Sequence, residues 1–105
     1  MILAVDIGNT TIACGVCAGM KVLTTLRMDT AISKRGLTKE LEKFFGRVRR
    51  QYPSLETVII CSVVPRALAI AEGVIRRKLH VKPLVIGRDI KVPIKNNYKN
   101  PRQVG

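Results

Sequence analysis

The apolar positions of this chain change their spacing along its length, and those changes divide it into elements. Residues 2–5 (Ile-Leu-Ala-Val) form a short, partly β-branched apolar run closed by Asp6-Ile7-Gly8-Asn9-Thr10, which predicts a buried strand ending near Asp6 in a polar turn. Residues 11–16 are a second run of small and β-branched side chains. Ala18-Gly19-Met20 supplies a turn, and residues 21–28 carry Val22, Thr24 and Leu26 at alternate positions. Three strands joined by short loops predict an antiparallel meander.

After a polar break at residues 33–36 the period lengthens. Leu37, Leu41, Phe44, Phe45, Val48 and Tyr52 recur every three or four residues, as one buried face of a helix requires, and Pro53 stops the run. Lys39, Lys43, Arg47 and Arg50 fall on the opposite face, partly balanced by Glu40 and Glu42, the pattern of a solvent-facing helix surface. Residues 57–64 (Thr-Val-Ile-Ile-Cys-Ser-Val-Val) are apolar at both alternating sets of positions, which predicts a central strand covered on each side. Pro65 opens a second helix whose apolar face carries Ala67, Leu68, Ile70, Ala71, Val74, Ile75 and Leu79. Arg76, Arg77 and Lys78 near its end suit the helix dipole, and His80 reads as a surface or capping residue. Residues 84–86 form a further short strand, residues 87–99 a loop or extended segment rich in Lys and Asn, and Asn100-Pro101 the N-cap and first position of another helix.

The order is strand, strand, strand, helix, strand, helix, strand. It predicts an α/β fold with a mixed sheet, three antiparallel strands followed by parallel ones reached through right-handed crossovers, and helices on the faces. At 105 residues there is room for one core, so residues 1–105 are expected to form one lobe. Hydrophobic residues at 47% against 25% charged place the chain outside the disordered class, and 4% aromatic content with no Trp makes the core aliphatic.

Nineteen Lys and Arg against seven Asp and Glu give a formal charge of +12, which attracts polyanions without selecting among them. The basic residues are spread from Lys21 to Arg102 with no block of five, and aromatic stacking platforms are scarce, so the charge argues against a dedicated nucleic-acid role. Cys14, Cys17 and Cys61 are odd in number. Strand alternation puts the two members of the C-x-x-C on opposite faces, so buried free thiols of a cytoplasmic protein are expected rather than a disulfide or a metal site. Asp6 interrupts the first apolar run before it reaches signal-peptide length, and residues 58–64 fall far short of the ~20 apolar residues of a membrane span.

The candidate chemistry lies at the first turn. Asp6, Gly8, Asn9, Thr10 and Thr11 bring backbone N–H groups, an amide and two hydroxyls beside one carboxylate, a set suited to phosphates and to a magnesium ion, which needs only one or two carboxylates when phosphate oxygens and water complete its shell. Alone, the same residues are more often ordinary turn formers.

The block Ile2-Leu3-Ala4-Val5-Asp6-Ile7-Gly8-Asn9-Thr10, then Ile60-Cys61-Ser62-Val63-Val64-Pro65, then Asn97-Tyr98-Lys99-Asn100-Pro101-Arg102-Gln103-Val104-Gly105 together resemble the type III pantothenate kinases, in family order and over nearly the whole chain. The resemblance implies the N-terminal lobe of an actin-like, ribonuclease H-like kinase that transfers the γ-phosphoryl group of ATP to pantothenate, the first step toward coenzyme A. It also implies that Asp6, Gly8, Asn9 and Thr10 contact ATP phosphates and Mg2+, with Asp6 on the metal, and that Tyr98 and Gly105 belong to the pantothenate pocket. The family's general-base aspartate follows the glycine matched by Gly105. The adenosine pocket and the site for a monovalent cation, K+ or NH4+, belong to the same later portion, so the 105 residues alone are expected to be inactive. The full-length protein is expected to be a homodimer. A non-catalytic accessory or regulatory binding protein of the same family is the competing reading.

Overall fold

The computed structural model describes residues 1–91. The expected helix start at Asn100-Pro101, Tyr98 and Gly105 lie outside the described residues. The elements follow in the predicted order: β1 (Ile2–Ile7), β2 (Thr11–Ala18), β3 (Lys21–Asp29), α1 (Lys34–Gln51), β4 (Thr57–Ser62), α2 (Pro65–Leu79) and β5 (Leu84–Val85). They build one five-stranded sheet in the order β3-β2-β1-β4-β5. β1 runs antiparallel to β2 and parallel to β4, so β1 sits at the centre with the meander on one side and the crossover strands on the other.

Local chemistry sets the ends of the elements. Ser33 caps α1, its hydroxyl accepting the Gly36 N–H at 3.1 Å, which starts the helix within the polar break rather than after it. Tyr52 ends α1 by donating its backbone N–H to Val48, and its hydroxyl meets that of Thr24 on β3 at 3.0 Å. His80 does serve as a cap: it closes α2 in the left-handed conformation, φ 56°, its N–H bonded to the Arg76 carbonyl. A bulge between Val16 and Cys17 absorbs one irregularity in the β2–β3 register.

The core lies between one face of the sheet and both helices. Leu3, Val5 and Ile7 of β1 stand in register with Val16, Cys14 and Ile12 of β2, and with Val58 and Ile60 of β4, all buried. Leu37, Leu41, Phe44, Phe45 and Val48 of α1 and Ala67, Ala71, Val74 and Ile75 of α2 close over them. Phe44 and Phe45 pack at 5.6 Å between centroids with their rings tilted by 58°.

The other face of the sheet is uncovered among the described residues, which corrects the expectation that residues 57–64 are covered on each side. Val58 and Ile60 are buried, but Ile59 is only half-buried and Cys61 is exposed, as are Ile2, Ala4 and Asp6 of β1. An apolar run shows that both faces of a strand tolerate burial, and the packing of neighbouring elements decides which face receives it. The thiols divide accordingly. Cys14 is buried and Cys17 stands opposite Ile2 on the other face, half-buried, whereas the expectation of a buried thiol fails at Cys61. No helix of the described residues is long and apolar enough to cross a membrane.

Candidate functional site

The turn between β1 and β2 occupies the mouth of the sheet. Asp6 is the last residue of β1 to face the uncovered side, flanked in register by Ala13 of β2 and Cys61 of β4. Its carboxylate stands at the rim of a shallow recess of about 360 Å³ lined by Ala4, Ala13, Gly15, Ile59 and Ile86. The small side chains there leave the carboxylate accessible, and an exposed carboxylate beside a backbone loop is what a hydrated divalent cation carrying phosphates requires.

The loop itself is built to leave donors open. Gly8 donates its N–H to the Thr11 carbonyl at 2.9 Å, closing one side of the hairpin. The reciprocal bond, from the Thr11 N–H to the Gly8 carbonyl, is not made; that carbonyl accepts from the Thr30 hydroxyl at 2.8 Å instead. The backbone N–H groups of Asn9, Thr10 and Thr11 therefore have no acceptor among the described residues. Consecutive unpaired N–H groups at a turn form a concavity with partial positive charge, the usual backbone device for holding phosphate oxygens. Gly8 is favoured by close approach rather than by a left-handed backbone: a Cβ there would stand 3.3 Å from the Thr11 carbonyl oxygen, close enough that the turn would have to give by a few tenths of an ångström.

Two neighbouring elements face the same mouth. The Val63 N–H bonds the Ile7 carbonyl at 3.0 Å, fixing the β4–α2 turn beside the β1–β2 turn. α2 begins there at Pro65 with no side-chain cap, so the positive end of its dipole adjoins the loop. On the other flank, Arg27 and Asp29 of β3 line a second recess with Thr10 and Thr11. Arg27 makes no ion pair among the described residues, which leaves a guanidinium beside the loop.

The structure thus brings Asp6, Gly8, Asn9, Thr10 and Thr11 together and adds Arg27 and Thr30, which sequence reasoning passed over. Arg27 lies in an alternating strand, where a basic residue has no special signal. Thr30, 2% exposed and the one buried polar residue of the described chain, lies between the third strand and the polar break, where a threonine is unremarkable. No group of three or more His, Cys, Asp or Glu side chains gathers anywhere in the described residues. A metal ion at Asp6 would accordingly draw most of its ligands from phosphate and water, which fits magnesium delivered with a nucleotide and does not fit a site made by protein alone.

The fold is that of a ribonuclease H-like lobe, with the open turn between β1 and β2 at its mouth. The fold likeness is direct: Thermus thermophilus RuvC in complex with Holliday junction substrate aligns with a TM-score of 0.60 and 15% identity, over 80% of this chain and 62% of that one. A second Thermus thermophilus RuvC structure aligns at 0.56 with 14% identity, over 80% and 59% of the two chains. The family model for type III pantothenate kinase matches residues 2–105, and the chain belongs to that family. Among similar proteins named type III pantothenate kinase, one from a Sulfurihydrogenibium species is 36% identical and one from Pelobacter propionicus 32% identical, each over the whole chain. The chain spans 42% of the length of each.

Proposed function

We propose that this chain supplies the phosphate- and magnesium-binding side of a kinase cleft, in which the γ-phosphoryl group of ATP passes to the hydroxyl of pantothenate. The observation that carries the reading is the loop at residues 8–11, whose outward amides have no internal acceptor and stand beside the exposed Asp6 carboxylate. Family membership supports the choice of reaction and of acceptor.

In the transfer, a bond forms between the pantothenate hydroxyl oxygen and the γ-phosphorus, the bond from that phosphorus to the β,γ-bridging oxygen breaks, and ADP leaves. Phosphoryl transfer depends on alignment and charge stabilisation more than on covalent chemistry. The amides of Asn9, Thr10 and Thr11 hold phosphate oxygens, and the hydroxyls of Thr10 and Thr11 add donors that can turn toward them. Asp6 would be the carboxylate that holds a magnesium ion. Magnesium, when bound, supplies charge neutralisation across the phosphates. The acceptor hydroxyl must lose its proton to a base, and the resemblance assigns that base, the rest of the pantothenate pocket and the K+ or NH4+ site to sequence beyond Gly105. Tyr98 and Gly105 join the pocket in this reading. A homodimeric full-length enzyme acting in the cytoplasm belongs to the same proposal.

The test is a titration of the chain with ATP, with and without Mg2+, followed by isothermal calorimetry. Binding should strengthen with Mg2+, and Asp6→Asn, which keeps shape and removes the charge, should weaken the Mg2+-dependent part about tenfold or more. No phosphopantothenate should form with the chain alone. Equal affinity of Asp6→Asn and the unsubstituted chain in the presence of Mg2+ would remove the reading.

A further inference from the structure

We propose that Thr30 is a positioning residue of the phosphate loop, acting by drawing the Gly8 carbonyl out of the hairpin. Thr30 sits 2% exposed between β3 and α1 and holds the loop at two points. Its hydroxyl donates to the Gly8 carbonyl at 2.8 Å, and its backbone N–H donates to the Thr10 carbonyl at 2.9 Å. A trans peptide is planar with its N–H opposed to its C=O, so fixing a carbonyl fixes the direction of the following N–H. The Gly8 carbonyl turned toward Thr30 aims the Asn9 N–H away from it, and the Thr10 carbonyl does the same for the Thr11 N–H. Both donors are thereby set before any ligand arrives.

The hydroxyl has a specific competitor. Gly8 already donates to the Thr11 carbonyl at 2.9 Å, and in a closed hairpin the Gly8 carbonyl would accept the Thr11 N–H in return. Drawn toward the Thr30 hydroxyl, the carbonyl does not make that return bond, which leaves the Thr11 N–H for a phosphate oxygen. The anchor is itself held, because Arg66 in the first turn of α2 donates to the Thr30 carbonyl at 3.4 Å and so ties the β3–α1 connection to the α2 end of the mouth. A buried hydroxyl without this bond would be left unsatisfied, so the arrangement is enforced by burial as well as by geometry.

The use of the open amides for nucleotide phosphate rests on the reading of the preceding section, and two measurements keep the two ideas apart. The first needs no ligand. Amide–water exchange measured by NMR should find the Thr11 N–H rapidly exchanging in the unsubstituted chain and in Thr30→Ser, and slowed about tenfold in Thr30→Val, where the released Gly8 carbonyl closes the turn. The second is a titration with MgATP, in which Thr30→Val should weaken binding about tenfold and Thr30→Ser by no more than about threefold. Unchanged Thr11 exchange in a folded Thr30→Val chain overturns the inference, whatever the nucleotide does. If Thr30→Val does not fold, the unsubstituted chain decides: a slowly exchanging Thr11 N–H there overturns the inference, and a fast one beside a protected Thr30 N–H supports it. A Thr11 response to Thr30→Val with no movement of the Asn9 to Thr11 amides on adding MgATP upholds the positioning role and removes the nucleotide reading instead.

Discussion

The two faces of the sheet are made from the same strands and have opposite properties. On one, Leu3, Val5, Ile7, Ile12, Cys14, Val16, Val58 and Ile60 are buried under α1 and α2. On the other, one residue along in each strand, Ile2, Ala4 and Asp6 are exposed and Cys61 stands open beside Asp6. The covered face carries the stability of the lobe, whereas the uncovered face and the loop at its end carry the candidate chemistry. A carboxylate could not sit among the first set without a partner, because burying an unpaired charge is prohibitive. In the second set it keeps its hydration.

The difference can be broken most directly by paired truncations. Phe45→Ala, at a position with no exposure, should destabilise the chain by about 3–5 kcal/mol in urea unfolding, while Ile59→Ala on the uncovered face should cost under about 1.5 kcal/mol. Equal losses would mean that both faces bear the fold alike.

A smaller effect sharpens the division through the thiols. Burial pushes the Cys14 thiol up to about 12 from 9.0. A raised folded-state value favours the protonated form, so the contribution is complete below about pH 9 and is lost as pH climbs from there toward about 12. Stability should fall across that alkaline range more steeply than in Cys14→Ala, which lacks the group. Iodoacetamide at neutral pH should label Cys61 first and leave Cys14 unreacted until the chain unfolds, as mass spectrometry of the peptides would show.

The least effect is expected at the surface ion pairs. Glu42 of α1 meets Arg77 of α2 at 2.9 Å with both side chains substantially exposed, and Glu42→Gln should change stability by no more than about 0.5 kcal/mol, a difference that disappears in high salt. The link from Arg88 to Glu72 and Asp89 differs, since two guanidinium nitrogens bond Glu72 and both carboxylates are less exposed; it holds the turn after β5 while Asp89 also accepts the Val85 N–H. These bonds, the Arg88 guanidinium first, hold the Asp89 carboxyl below its usual range, so what it adds is present above that range and is lost as the pH falls from there through the lowered folded-state value.

Much of this was determined by the sequence alone, because the forces involved act over a few residues. Alternation of Val22, Thr24 and Leu26, the three-to-four spacing from Leu37 to Val48, Pro53, and Pro65 at a helix start all report local geometry, and each element fell within about three residues of where they put it. The Asp6 to Thr11 turn was legible for the same reason, and the three family blocks directed attention to it. Which face of β4 is covered was not legible, since apolar residues lie on both and the choice belongs to where α1 and α2 pack. The role of Thr30 was hidden as well: its bond to Gly8 spans 22 positions and has no period, cap or turn signature. Only the tertiary structure brings the end of β3 against the first hairpin, and long-range contacts of this kind depend on how finished elements assemble rather than on the pattern that forms them.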